Sequence, residues 1–214
     1  MNILKQTSKL RLLAAFAALA VLSTPAAALQ LESTAEGHGQ VTVEGTSTLH
    51  DWDVKGTEIL GMLKVDIDDF SLDAFANATV EAEVRIPARS LTSENRGMDR
   101  RMYNALEASD HEFITFVLSG LSQADPEDLG SLTERAEDGA LALFATGELT
   151  ITGTTLEVEV PALVYWDDGV LRIEVEAVIV MSEYGIDPPR ALMGTIRTGD
   201  EVTVHAVWTP ASVQ

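Results

Sequence analysis

The sequence predicts an all-β protein: a single antiparallel β-barrel of about eight strands with one short helix. Three observations carry this expectation. Apolar and polar residues alternate with period two through most of the chain, turn residues join consecutive runs, and one segment alone has a clear helical period. With so little helix, the dry faces of long strands must cover one another, in a closed barrel or a sandwich. Meander order and strands of ten or more residues favour a barrel able to enclose an apolar cavity, although periodicity alone does not separate the two.

The elements follow in chain order. Residues 41–45, 47–55 and 57–68 supply the first strands. In 79–86, Val80, Ala82, Val84 and Ile86 interleave with Thr79, Glu81, Glu83 and Arg85, a half-buried strand. Between 93 and 109, Met98, Met102 and Leu106 recur at four-residue spacing with Arg100 and Arg101 off the stripe, which predicts a short amphipathic helix whose stripe packs on the core. Residues 123–138 are acidic, contain Pro126 and Gly130, and read as a long loop. Thr152-Gly153 separates the run 141–151 from 155–166, and Asp167-Asp168-Gly169 separates that from 170–182, giving a three-strand meander. Pro161 lacks an amide proton and predicts a bulge or an edge in the middle strand. Val202, Val204, Ala206 and Trp208 alternate with Glu201, Thr203 and His205 in the last strand.

The first 28 residues read as a secretory signal peptide. Lys5, Lys9 and Arg11 precede an apolar run from Leu12 to Leu22, and Ala26 and Ala28 suit cleavage after Ala28. The expected product is one domain, 29–214, released to a bacterial periplasm or secreted. Of the chain's 14 basic residues three belong to the leader, so 11 remain against 34 acidic ones. That balance excludes a nucleic-acid binder by charge, and the apolar content of 46% excludes a disordered acidic tail. With no cysteine, stability rests on an extended core rather than disulfides. No later run approaches the roughly 18 apolar residues of a membrane-spanning helix, so no transmembrane segment is expected in the mature chain.

Residues that could carry chemistry are sparse. His38, His50, His111 and His205 are scattered without metal-ligand spacing, so no metal site is expected. On a strand, His50 and Asp51 would point to opposite sides and could not act as a base and its orienting partner. The carboxylates of Asp66, Asp68 and Asp69 lack the glycine and closing glutamate of a calcium loop and read as a solvated turn. Arg85, Arg89, Arg96, Arg100 and Arg101 fall within 17 residues. Their forks suit a phosphate or carboxylate head group; alternatively they form a solvated surface paired with Glu94, Asp99 or Glu107.

An ordered set of motifs is similar to the YceI-like family. These are Gly45-Thr-Ser-Thr-Leu-His-Asp-Trp-Asp-Val54, Val84-Arg-Ile-Pro87 with Ser90 and Leu91, Met98 through Leu106 followed by Phe113-Ile-Thr-Phe116, Gly147-Glu-Leu-Thr-Ile-Thr-Gly153, and Tyr184-Gly-Ile-Asp-Pro-Pro189. The resemblance spans roughly 37–208. It implies a lipocalin-like barrel, exported, that holds a polyisoprenoid chain, with no enzyme activity, metal or cofactor. Its cargo would be an isoprenyl phosphate or an isoprenoid quinone, and a homodimer is compatible with it. The first-strand motif Ser47-Thr-Leu-His-Asp-Trp52 departs from the better-known branch, which leaves the head group open. His50, Trp52, Trp166 and Tyr184 are candidate mouth or cavity positions, being amphipathic side chains near strand ends or turns, and Arg96 and Arg100 are candidate head-group ligands. The alternative is a stress or interaction protein with a packed barrel, whose acidic 123–138 loop touches a partner.

Overall fold

The computed structural model describes residues 29–34, 37–67, 69–167 and 170–210. The leader read at 1–28 lies outside them. Ten strands are described: β1 (Leu29–Thr34), β2 (Gly37–Ser47), β3 (Trp52–Ile67), β4 (Val80–Pro87), β5 (Phe113–Gln123), β6 (Leu141–Ile151), β7 (Thr154–Asp167), β8 (Val170–Val180), the two-residue β9 (Arg190–Ala191) and β10 (Ile196–Thr209). Neighbours run β3-β2-β10-β8-β7-β6-β5-β4, and β4 pairs back onto β3 through Leu60–Val65 against Val80–Arg85. The ring therefore closes as an eight-strand antiparallel barrel. β1 continues the edge that β2 offers to β3, pairing with residues 62–67. Closure removes the free strand edges that a sandwich of these lengths would leave.

Two strands expected from sequence are one. β3 runs unbroken for 16 residues, and Gly56, which suggests a turn, lies inside it, bonded in register to Val41. Its burial alternation changes phase across Thr57 and Glu58, opposite a bulge of β2 between His38 and Val41. The turn instead falls at 48–51. There the Ser47 hydroxyl accepts from the amides of Leu49 and His50 at 3.2 Å and donates to the His50 carbonyl at 2.6 Å. Thr152 (φ 49°) and Gly153 (φ 76°) form the expected two-residue turn between β6 and β7. Pro161 pairs with Phe144 of β6, but the ladder to β8 starts only at Ala162, so the proline stands at a local edge.

Helices close or flank the two barrel ends. The expected helix is α2 (Arg96–Ala105), capped by Asn95, whose side chain accepts from Gly97 N and Met98 N. A second helix, α1 (Leu72–Asn77), adds to the one expected; Ser71 caps it, and Phe75 on it is buried. α1 follows β3 and precedes β4, whereas α2 follows β4, so the two sit at opposite ends. The acidic segment 123–138 is a strap with two short 3₁₀ turns rather than a loose loop. Its Leu129 and Leu132 are buried with Leu163 and Tyr165 in a small core on the outer wall.

Candidate ligand cavity of the barrel

Period-two alternation sends Val41, Val84, Leu143, Val160, Ile173 and Val204 inward, but these side chains do not fill the interior. They line a cavity of about 560 Å³, within the roughly 300–1,000 Å³ of ligand pockets. The packed-interior alternative is thereby left without support. The far end is shut by Ile59, Leu63, Phe75, Leu143 and Trp208, all buried. Small residues make room for the large ones there: a Cβ on Gly61 would lie 2.5 Å from the Trp208 ring. Phe70, just ahead of α1, meets Phe75 edge-on, 5.5 Å between ring centroids.

Polar lining residues cluster at the opposite end, the mouth. They are Ser47, His50, Asn95, Arg101, Arg190 and Thr198, together with Trp52. Among the described residues no aspartate or glutamate lines the cavity, in a chain that carries 34 acidic residues. Trp52 stacks against Gly45, where a Cβ would come within 2.3 Å of the ring, and its Nε1 donates to the Thr46 carbonyl at 3.0 Å. His50 is exposed, with Nδ1 2.8 Å from the Asp51 carbonyl oxygen. It sits in the turn, not on a strand.

α2 lies across this mouth. Met98, Arg101, Met102, Ala105 and Leu106 line the cavity, so the stripe expected to pack on a core faces the lumen as well. None of the helix residues is fully buried. Its hold on the barrel comes from its flanks. Burial alone would raise the Asp99 pKa, but hydrogen bonds from Ser93 Oγ (2.6 Å), Ser93 N (2.8 Å) and Thr92 Oγ1 (3.2 Å) outweigh it and hold the carboxyl below the ordinary aspartate value. Tyr103 Oη donates to the Leu91 carbonyl at 2.6 Å; burial first, then Asp99, pushes its phenol up, against Arg89.

The candidate residues named from sequence scatter. His50 and Trp52 are on the cavity wall. Arg96 and Arg100 are exposed on α2 and do not line it; the neighbouring Arg101 and the distant Arg190 do. Trp166 sits at the closed end beside Phe70, at a centroid distance of 6.3 Å. Tyr184 is buried below the mouth with Ile151, Ile179 and Val202, outside the cavity wall. Arg190 and Asn95 give no sequence signal except proximity to the Pro188-Pro189 turn and to the helix start.

The profile of the YceI-like domain matches residues 33–209. No curated protein matches the chain significantly. Among solved structures, BcnA of Burkholderia cenocepacia superposes with a TM-score of 0.61 at 16% identity, covering 81% of this chain and 96% of that one. A polyisoprenoid binding domain from Saccharophagus degradans, implicated in plant cell wall breakdown, gives 0.56 at 15% identity, covering 86% and 99%. At these identities the likeness is one of fold.

Proposed function

Because the chain belongs to the YceI-like domain family, we propose that its barrel is a binding protein for an isoprenoid lipid, exported with cleavage of the leader and acting as a carrier or store rather than an enzyme. The single observation that carries the reading is the cavity, hollow, apolar along its length and polar at one end. Such a profile matches an amphiphile with a long hydrocarbon tail. Each buried CH₂ stabilises by about 0.8 kcal/mol, so a prenyl chain binds on its tail with few polar contacts. The likeness in fold to the polyisoprenoid binding domain of Saccharophagus degradans supports the same class of cargo.

At the mouth, Arg101, Arg190, Asn95, Ser47 and His50 surround the place where a head group would rest. They offer donors to a phosphate or a quinone carbonyl, so either cargo is compatible with them. None of these groups is arranged as a nucleophile with a base, which favours holding over turnover.

Trp52 and Trp208 on the wall supply the test. Titration with a short-chain prenyl quinone should quench their emission saturably. Ala145→Phe, which places a ring in the lumen, should raise the apparent Kd at least about tenfold while the protein stays folded. Unsaturable quenching, or equal quenching in the variant, would count against the reading.

A further inference from the structure

Two fully or largely exposed apolar side chains sit on the outside of the cavity mouth. Leu49 is 65% exposed and Met193 is fully exposed. They lie on adjoining segments, because Thr48 N donates to the Arg197 carbonyl at 3.0 Å and Thr48 Oγ1 donates to the Thr195 carbonyl at 3.2 Å. Met193 is held there in the left-handed region, φ 58° and ψ 31°, which an L side chain disfavours. Packing does not explain that conformation, since the side chain packs on nothing among the described residues.

Beside these tips α2 presents Arg96, Arg100 and Arg101, all exposed and without an ion pair or hydrogen bond among the described residues. Arg190 and Arg197 flank Met193; the first pairs with Asp187 at 3.6 Å and the second donates to the Gly194 carbonyl at 3.2 Å. Away from this end of the barrel, the basic residues from Gly37 onward are Lys64, Arg135 and Arg172. Cation and exposed apolar surface thus coincide at the mouth of the apolar cavity.

We propose that this rim is a membrane-docking face, with Leu49 and Met193 entering the head-group layer of an anionic phospholipid bilayer while Arg96, Arg100 and Arg101 meet its phosphates. Apolar tips with basic neighbours are what interfacial binding requires. The acidic outer wall does not prevent it. The opposite barrel end lies roughly 30 Å away for strands of about ten residues, and charges beyond a Debye length of about 8 Å are screened at physiological salt. Asp51, Glu94 and Asp187 on the rim oppose docking, so the contact is weak and salt-sensitive, as suits a protein that must leave again. Docking serves the cargo reading by bringing the mouth to the layer in which a prenyl lipid resides, and so rests on it for its purpose.

Vesicle flotation tests the face, using protein recovered from the periplasm of an expressing bacterium. It should float with vesicles of phosphatidylglycerol mixed with phosphatidylcholine, not with phosphatidylcholine alone, and less as salt rises. Leu49→Ser with Met193→Ser, and separately Arg96→Glu with Arg100→Glu, should each lower vesicle affinity by about tenfold or more. Both should keep wild-type quinone quenching in vesicle-free solution, which shows that they fold. Absence of wild-type flotation on the anionic vesicles, or unchanged flotation of both variants, would overturn the docking face. Normal flotation with no quinone uptake would uphold it and count instead against the cargo reading.

Discussion

Tyr184 carries a phenol that is buried with no hydrogen-bond partner among the described residues, while its backbone carbonyl accepts from Thr152 Oγ1 at 2.6 Å. Burial, with a smaller contribution from Glu183, pushes its pKa up. A buried hydroxyl without a partner keeps its desolvation cost. Tyr184→Phe should therefore raise the urea midpoint, by about 1 kcal/mol of stability, with quinone uptake unchanged because the ring is off the cavity wall; a loss of stability would reveal a partner. In sequence, Tyr184 is a mouth candidate because it is amphipathic and sits at a strand end. That signal places a residue along the barrel axis but not radially. The same limit separates Arg96 and Arg100 from Arg101: on a helix, one step of 100° turns a side chain from solvent to lumen, and the four-residue stripe does not say which arginine borders it. Glycine misleads differently. Gly56 and Gly45 resemble punctuation, yet Gly45 leaves space for the Trp52 ring, and a Cβ on Gly56 would come within 3.0 Å of Leu91.

At the scale of elements, α2 covers the mouth on the strength of its flanking segments. Asp99 ties Ser93 and Thr92 to its first turn, Asn95 caps it, and Thr92 exchanges both backbone hydrogen bonds with Lys55 of β3, at 2.8 and 2.9 Å. The lowered pKa of Asp99 fixes the sign of a pH effect. The folded state prefers the carboxylate, so its contribution is complete above the unfolded aspartate value of about 3.9 and is lost as pH falls through the lower folded value. Asp99→Asn should unfold at lower urea than wild type at neutral pH, and the gap should close as the pH is taken below the carboxylate range. A gap that stays constant with pH would mean that Asp99 acts through shape alone. The helix is legible in the sequence because its stripe is periodic; α1, six residues long, offers too few turns to show a period. The strap is legible as a break in alternation, but not as a packed element. Of its two buried leucines, Leu129 lies between the two 3₁₀ turns and Leu132 within the second, a spacing that strand alternation does not show. Glu137 and Ser131 add polar ties, to Arg172 at 3.0 Å and to Glu176 at 2.5 Å.

For the molecule as a whole, the contrast between wall and lumen organises everything else. In a chain with a formal charge of −20, no aspartate or glutamate among the described residues lines the cavity, so the outer strand faces take the charge and the inner faces stay apolar. Alternation in the sequence dictates that division, and the closed antiparallel barrel follows from it. Whether eight inner faces meet or leave a gap depends on ring diameter and on where Gly39, Gly61 and Gly147 admit Ile59, Trp208 and Phe116, which no linear pattern encodes. The space left is the central claim, and native mass spectrometry of the purified protein tests it most directly, before and after incubation with a prenyl quinone and a prenyl phosphate. A hollow isoprenoid binder should show one added mass of a lipid, either carried through purification or gained on incubation, and should lose it in Ala145→Phe. Bare protein in every sample would contradict the account.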